Sequence, residues 1–260
     1  MYKLTDFFAV LDKYAPLKLS HELIDRGEYD NSGIIINHHD YVEKVLFSLD
    51  LSELVVERAK KLKCDTIVTH HPAIYTPISK LDIDGEQSAI VKAVSLGINV
   101  ISMHLNLDYA EFGVDSFLCL GLGGKNAKTL DKLSEIEGYG RVAEIENATF
   151  RDIKSSAKKT FKTERIICYG NLNEKVNKIA SFCGSGGSVA IKYLSETKAD
   201  LIVTSDAPHH VIKAIIESGK KLMLLTHYAS ENYGFYKYFE KISEQVCDVQ
   251  IEYFEDKRFM

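Results

Sequence analysis

Four prolines and 16 glycines in 260 residues are too few for a collagenous or low-complexity chain. A composition of 27% charged and 45% hydrophobic residues also lacks the polar excess of a disordered one. No run approaches the 18 or so uncharged apolar residues that crossing a bilayer needs, so no membrane span is expected. The opening Met-Tyr-Lys-Leu-Thr-Asp lacks the basic-then-apolar layout of a signal peptide. The cysteines (Cys64, Cys119, Cys168, Cys183, Cys247) are odd in number, scattered, and contain no Cys-x-x-Cys. That pattern argues against a disulfide framework and for reduced thiols in a cytoplasmic protein. Positive charge is not in surplus: Lys and Arg number 32 against 37 Asp and Glu, a net charge of −5. A broad basic footprint for nucleic acid is therefore absent, which leaves room for a local patch only. A chain this long buries roughly three quarters of its extended surface, enough for one large domain or two lobes.

Short apolar runs alternate with helical stretches. Leu4 to Tyr14 reads as an amphipathic helix and Gly33 to Ile36 as a strand. Val45 to Leu49 reads as a second strand, followed by a helix over Ser52 to Leu62 with Ser52 and Glu53 at its start. Thr66-Ile67-Val68, the helix Gln87 to Leu96, the strand Val100 to Met103 and the helix Val114 to Leu122 continue the alternation. Farther on, Gly138 to Ile145, Arg165 to Tyr169 and Lys178 to Phe182 read as strands, Phe150 to Lys159 as a helix, and a Gly-rich turn leads into a helix ending near Thr197. Strands alternating with helices predict parallel pairing and an α/β fold.

The last third echoes the first. Cys64-Asp65-Thr66-Ile67-Val68-Thr69 matches Ala199-Asp200-Leu201-Ile202-Val203-Thr204, and a helix and a second strand follow each. His104 corresponds to His227, and Asp108 to Glu231, each four residues later. The repeat predicts two related α/β lobes with pseudo-twofold symmetry, over 1–125 and 126–260, in one continuous body.

The chemistry-bearing cluster is His70, His71, Asp108, His227 and Glu231. Each follows a predicted parallel strand, the place where open α/β sheets bind ligands. Successive strand residues face opposite sides, but the bend before Pro72 lets His70 and His71 serve different ions. His227 and Glu231 share a helix face if that segment is helical. Three imidazoles and two carboxylates suit Zn, Fe, Mn, Co or Ni without choosing among them. Five ligands exceed one four-coordinate site and suit two divalent ions, which sit about 3.5–4 Å apart in two-metal hydrolases. The competing reading is a surface His pair, as expected for Asn37-His38-His39-Asp40.

Other features are weaker. Asp206 and His210, after the second copy of the strand, are candidates for ligands, for partners that orient imidazoles, or for a general acid/base pair. On spacing alone, an N-cap at Asp206 competes. Cys183-Gly184-Ser185-Gly186-Gly187-Ser188 is neither a Walker loop nor a dinucleotide fingerprint. It reads as a phosphate cradle or as a tight turn capped by Ser188, with Cys183 a small buried residue. Lys158, Lys159, Lys162 and Arg165 read as a solvated face. Tyr228 and Tyr233, in the aromatic stretch after His227, read as packing residues with base stacking as the alternative.

Several motifs occur in a fixed order: Thr69-His70-His71-Pro72, Asn106-Leu107-Asp108, Gly138-Tyr139-Gly140-Arg141-Val142, the Gly-Ser-Gly-Gly turn, Thr204-Ser205-Asp206 with His210, and His227-Tyr228-x-x-Glu231. A chain built this way resembles the GTP cyclohydrolase I type 2 homologues, also called the NIF-three-like family. The resemblance runs from Asp30-Asn31-Ser32-Gly33 to the C-terminal strand, at the length of the short form without an inserted domain. It implies a dinuclear metal site in the cleft between the two lobes, and a toroidal homohexamer whose metal sites face an internal cavity. Carried over residue by residue, the metal ligands fall on His70, His71, Asp108, His227 and Glu231, with Glu231 expected to bridge and Asp108 to support. The family name implies hydrolytic opening of the guanine imidazole ring of GTP with loss of formate. A bound divalent ion, which brings the pKa of water to about 7, is compatible with that chemistry, and Asp206 or His210 would move protons. One position departs from the pattern: Ser205 stands where the family usually has Gly, which adds a hydroxyl near the site. Two other function classes compete with a hydrolase. One is a regulatory or nucleic-acid-binding protein with structural metals, disfavoured by the charge; the other is a metal-handling protein.

Overall fold

The computed structural model describes Tyr2–Met260. The elements run β1 (Tyr2–Lys3), α1 (Leu4–Tyr14), α2 (Leu17–Asp25), β2 (Gly33–Ile36), β3 (Tyr41–Val42), β4 (Lys44–Ser48), α3 (Glu53–Leu62) and β5 (Thr66–Thr69). Then come α4 (Ser88–Ser95), β6 (Asn99–Ser102), α5 (Leu105–Tyr109), α6 (Val114–Gly121), β7 (Lys125–Lys132), β8 (Gly138–Thr149) and α7 (Phe150–Thr160). The chain finishes with β9 (Ile167–Tyr169), β10 (Lys175–Ser181), α8 (Gly187–Lys192), β11 (Leu201–Thr204), α9 (His209–Glu217), β12 (Lys221–Leu224), α10 (His227–Ser243) and β13 (Gln250–Phe254).

Two compact units emerge. The first comprises the residues up to Leu107 together with Tyr238–Asp256; the second comprises Asp108–Lys237 and Lys257–Met260. A single cut after residue 125 does not describe this division, because β13 pairs in parallel with β4 and so belongs to the first sheet.

The first unit holds a five-stranded sheet in the order β13-β4-β5-β6-β2. β4, β5 and β6 are parallel, and β2 lies antiparallel beside β6. Every residue of β5 and β6 is buried, as expected of strands covered on both faces. Ser52 caps α3 by accepting from the Val55 amide, and Lys63 ends the helix in the left-handed region at φ 59°. The buried face of α3 (Val55, Val56, Ala59) and that of α4 (Ala89, Ala93) pack on Leu46, Ile67 and Val100 of the sheet. On α1, Leu4, Phe7 and Leu11 recur at helical spacing and are buried, and Tyr238 donates its hydroxyl to the Leu11 carbonyl.

The second unit holds a six-stranded sheet in the order β7-β8-β10-β11-β12-β9. Here β10, β11 and β12 are parallel and β9 lies antiparallel beside β12. Each sheet thus carries three successive parallel strands joined through helices, with an antiparallel strand flanking the third; in the first sheet β13 adds a fourth parallel strand on the outer side of β4. The repeat seen in the sequence is therefore a repeat of topology, and the fold is mixed α/β. β8 starts at Gly138, where a Cβ would meet the Lys132 Cα at 3.0 Å and where φ is +151°, so the β7–β8 turn admits little but glycine. Among the described residues, no helix is long and apolar enough to cross a membrane.

Candidate metal centre

In the first unit, three imidazoles gather beyond the C-terminal ends of β5 and β6. The turn after β5 is set by the Leu49 carbonyl, which accepts from the amides of both His70 and His71 at 3.1 and 3.0 Å. Thr69 Oγ1 donates to the His71 carbonyl at 2.8 Å. His70 is fully buried and its Nδ1 lies 2.8 Å from the Met103 carbonyl oxygen. A carbonyl can only accept, so Nδ1 carries the proton and Nε2 carries the lone pair, the form a metal-binding imidazole needs. His71 is arranged likewise, with Nδ1 2.7 Å from Asp50 Oδ1.

His104 completes the group. Its ring centroid lies 5.4 Å from that of His70 and 5.8 Å from that of His71, and Tyr75 packs edge-on against it. His104 Nδ1 lies 2.7 Å from Asp30 Oδ1, while Ser32 and Ser20 donate to Asp30 Oδ2. Burial pushes the Asp30 carboxyl up, but the bonds from His104, Ser20 and Ser32 outweigh it and hold the group below its ordinary value.

In the second unit the site is built around one peptide, Cys183–Gly184, on the turn after β10. The Cys183 amide donates to Asp115 Oδ1 at 3.2 Å, and Tyr139 donates its hydroxyl to the Cys183 carbonyl. The Gly184 amide donates to Ser230 Oγ at 3.0 Å, and Ser205 donates to the Gly184 carbonyl. Asp115 is itself buried and paired with Arg141 Nη1 at 3.1 Å, and burial pushes its carboxyl up to about 6 against the pull of that guanidinium. The hydroxyl of Ser205, the position that departs from the family pattern, thus braces this turn.

Gly184 has φ +52°, and a Cβ there would overlap Glu231 Oε1 and touch His227 Cε1 at 3.4 Å. The missing side chain is the hollow that receives the Glu231 carboxylate. Around it, Asp108, Cys183 and Glu231 are all buried, and each offers a donor atom within 4.8 Å of the others. On the first turn of α10, His227 Nε2 lies 3.0 Å from Glu231 Oε1, and its Nδ1 lies 2.5 Å from Asp206 Oδ2. Asp206 also accepts from Ser185 Oγ at 3.3 Å. Burial, with the Asp108, Asp115 and Glu231 carboxylates around it, pushes the Cys183 thiol well above its ordinary value. Within the second unit, the His227 imidazole with its tethered Nδ1, the buried Asp108 and Glu231 carboxylates and the Cys183 thiol form a donor set that fits divalent transition ions and zinc.

The structure sorts the remaining candidates. Asp206 is not an N-cap: Pro208 precedes α9, with no side-chain cap, and the Asp206 carboxylate is turned to His227 instead. His210 is exposed on α9 and has no part in the chain of bonds from Ser185 through Asp206 and His227 to Glu231. Ser188 caps nothing, since α8 begins at Gly187 behind Gly186 without a side-chain cap. Tyr228 is buried and stacked on Phe259, and Tyr233 packs edge-on to Phe161, so both serve packing. His38 is exposed and His39 is half-buried, stacked on Tyr41, and the two form a pair at the surface. Two residues stand at the site without having been singled out for it. His104 was legible as the repeat partner of His227, and each of the two binds a carboxylate through Nδ1. Cys183 gave no signal beyond its place beside the Gly-rich turn.

Known proteins resemble this chain along its length. The family described as Duf34/NIF3 (NGG1p interacting factor 3) matches residues 2–258. A protein of Clostridium perfringens (strain 13 / Type A) named GTP cyclohydrolase 1 type 2 homolog is 29% identical over an alignment of 265 residues, covering 98% of this chain and 96% of its own. A protein of Lactococcus lactis subsp. lactis (strain IL1403) with the same name is 32% identical, covering 84% of this chain and 82% of its own. The crystal structure of a Bacillus cereus protein related to NIF3 matches with a TM-score of 0.86 at 18% identity over 98% of this chain and 97% of that one, a likeness of fold.

Proposed function

The chain belongs to the Duf34/NIF3 family, and on that premise we propose that it is a metal-dependent hydrolase acting on a nucleotide. In this reading two divalent ions form a dinuclear centre, with His70, His71, Asp108, His227 and Glu231 proposed as its ligands. The observation that carries it is the Asp108–Cys183–Glu231 group seated over the Gly184 hollow: two buried carboxylates and a thiol, converging where the backbone leaves room for them. Divalent ions bound there supply Lewis acidity to a hydrolytic step.

The chain's own residues supply the rest. Asp206 fixes the ring of His227 through Nδ1 and so acts as a positioning residue. Asp30, held as a carboxylate by two serine hydroxyls, fixes His104 in the same way, and leaves that imidazole able to accept or donate a proton at Nε2. This assigns proton transfer to His104 in preference to the exposed His210. The name carried by the relatives in Clostridium perfringens and Lactococcus lactis points to GTP as the first substrate to try. Self-association into a ring of six belongs to the same proposal, and sedimentation of the purified protein tests it.

Elemental mass spectrometry of anaerobically purified protein tests the centre, and formate release from GTP tests the reaction. About two ions per chain, lost when His70 and His227 are both replaced by Ala, are expected. Metal-dependent turnover lost in Glu231→Gln is expected as well. Full turnover in that variant would remove the hydrolytic assignment, and metal content unchanged in the double variant would remove the centre.

A further inference from the structure

Cys183 stands among the metal donors of the second unit, and nothing in the resemblance gives it a role. We propose that Cys183 Sγ is a ligand of the ion held by Asp108 and Glu231, and that this sulfur makes the position selective for thiophilic divalent ions. The proposal rests on the metal-centre reading above.

The geometry is the first argument. Cys183 Sγ lies 3.4 Å from Asp108 Oδ1. Bond lengths of about 2.3 Å to sulfur and 2.0–2.2 Å to oxygen, at a tetrahedral angle, put two such donors about 3.5 Å apart. The thiol and the carboxylate are thus already spaced as two donors to one small cation, with a Glu231 donor within 4.8 Å of both.

Rigidity is the second. The sulfur hangs from a peptide fixed on both sides: Asp115 holds its amide, Tyr139 its carbonyl, and Ser230 the amide of Gly184. The third is selectivity within the chain. Cys64 and Cys119 are also buried, but among the described residues Cys183 alone belongs to a donor group of this kind.

A thiol hydrogen bond from Cys183 to Asp108 accounts equally for the 3.4 Å separation, and it is the alternative the experiment must separate. On coordination the metal–sulfur bond forms and the S–H proton leaves to solvent. A sulfur donor shifts preference toward Zn, Co and Fe and away from Mn and Mg, which favour oxygen ligands.

The test is a Co(II) titration of the metal-free, reduced full-length protein, followed in the near ultraviolet where thiolate-to-cobalt charge transfer absorbs. Cobalt per chain is counted in parallel by elemental analysis. The wild type is expected to show the band. Cys183→Ser is expected to bind cobalt at least about tenfold more weakly, without the band, and to lose its preference for Zn over Mn. Cobalt bound by the wild type without the band, or a band that survives in Cys183→Ser, would overturn the sulfur ligand and leave the metal centre standing. A wild type that binds neither cobalt nor zinc would overturn the centre itself, and this proposal with it. X-ray absorption of the zinc-loaded wild type needs no variant, so it decides the matter even if Cys183→Ser does not fold: a Zn–S shell near about 2.3 Å supports the proposal and its absence overturns it.

Discussion

Replacing Gly184 by Ala separates what the hollow does for folding from what it does for the cation. The residue sits at φ +52°, where an L side chain is strained by about 1–2 kcal/mol. The new Cβ would overlap Glu231 Oε1, the tip of a flexible side chain, so the carboxylate swings away and the backbone keeps its course. In chelator the variant should therefore lose only that strain. At about 2–4 °C per kcal/mol for a chain of this size, Tm falls by roughly 2–8 °C.

Added metal gives the sharper readout. At a concentration 100 times its Kd, a ligand stabilises the wild type by about 2.7 kcal/mol. If displacing Glu231 weakens the ion a hundredfold, the same concentration stabilises the variant by only about 0.4 kcal/mol. Thermal melts of both proteins, with chelator and with zinc, measure the two effects independently. A variant that loses the strain energy but keeps the full zinc increment would refute the reasoning, because the Glu231 carboxylate would then have no part in holding the ion.

Three further perturbations probe the supports. Asp206→Asn removes the carboxylate that orients His227 and should weaken metal binding about 10–100-fold without changing the apo melt; a chelator competition giving wild-type affinity would exclude that role. Asp30 has a pKa held below 3.8, so its contribution to stability is complete above that value and is lost as pH falls through the lower folded value. Asp30→Asn should accordingly be less stable than wild type in denaturant melts at pH 7 and pH 5, with the gap narrowing as the pH is taken below 3.8; a gap that never narrows on acidification would contradict it. Arg141→Ala leaves Asp115 buried and without its guanidinium, a loss of about 3–5 kcal/mol, whereas Asp115→Asn with Arg141→Met should recover much of it; strictly additive losses in denaturant unfolding would show the pair to be uncoupled.

The parallel strands were readable because they are buried on both faces: Thr66–Thr69 and Leu201–Thr204 are unbroken runs that can be little else. The histidines after them were readable because a strand end is where a sheet can present a ligand. β7 escaped notice for the opposite reason. Its residues Lys125–Lys132 are polar and largely exposed, so it has no alternation, and only pairing with β8 makes it a strand. The partner of each imidazole was also out of reach. Asp30 lies far along the chain from His104, and the local spacing of Asp206 favoured a helix cap over a bond to His227. Ser205 could be seen as an added hydroxyl, but that it grips the Gly184 carbonyl depends on how β10 and β11 align.

The pairing of β13 with β4 sets an order in which the molecule can be completed during synthesis. Gln250 lies opposite Lys44, so β4 leaves the ribosome with one edge open and waits for nearly the whole remaining chain before that edge is covered. Bringing two strands together across roughly two hundred residues of unfolded chain costs about 4–5 kcal/mol in closure entropy. That cost shrinks if the intervening Asp108–Lys237 segment, continuous in sequence, has already collapsed into its own unit. The first sheet is made early and completed late, and until β13 arrives its β4 edge is open to strand-to-strand pairing with another chain.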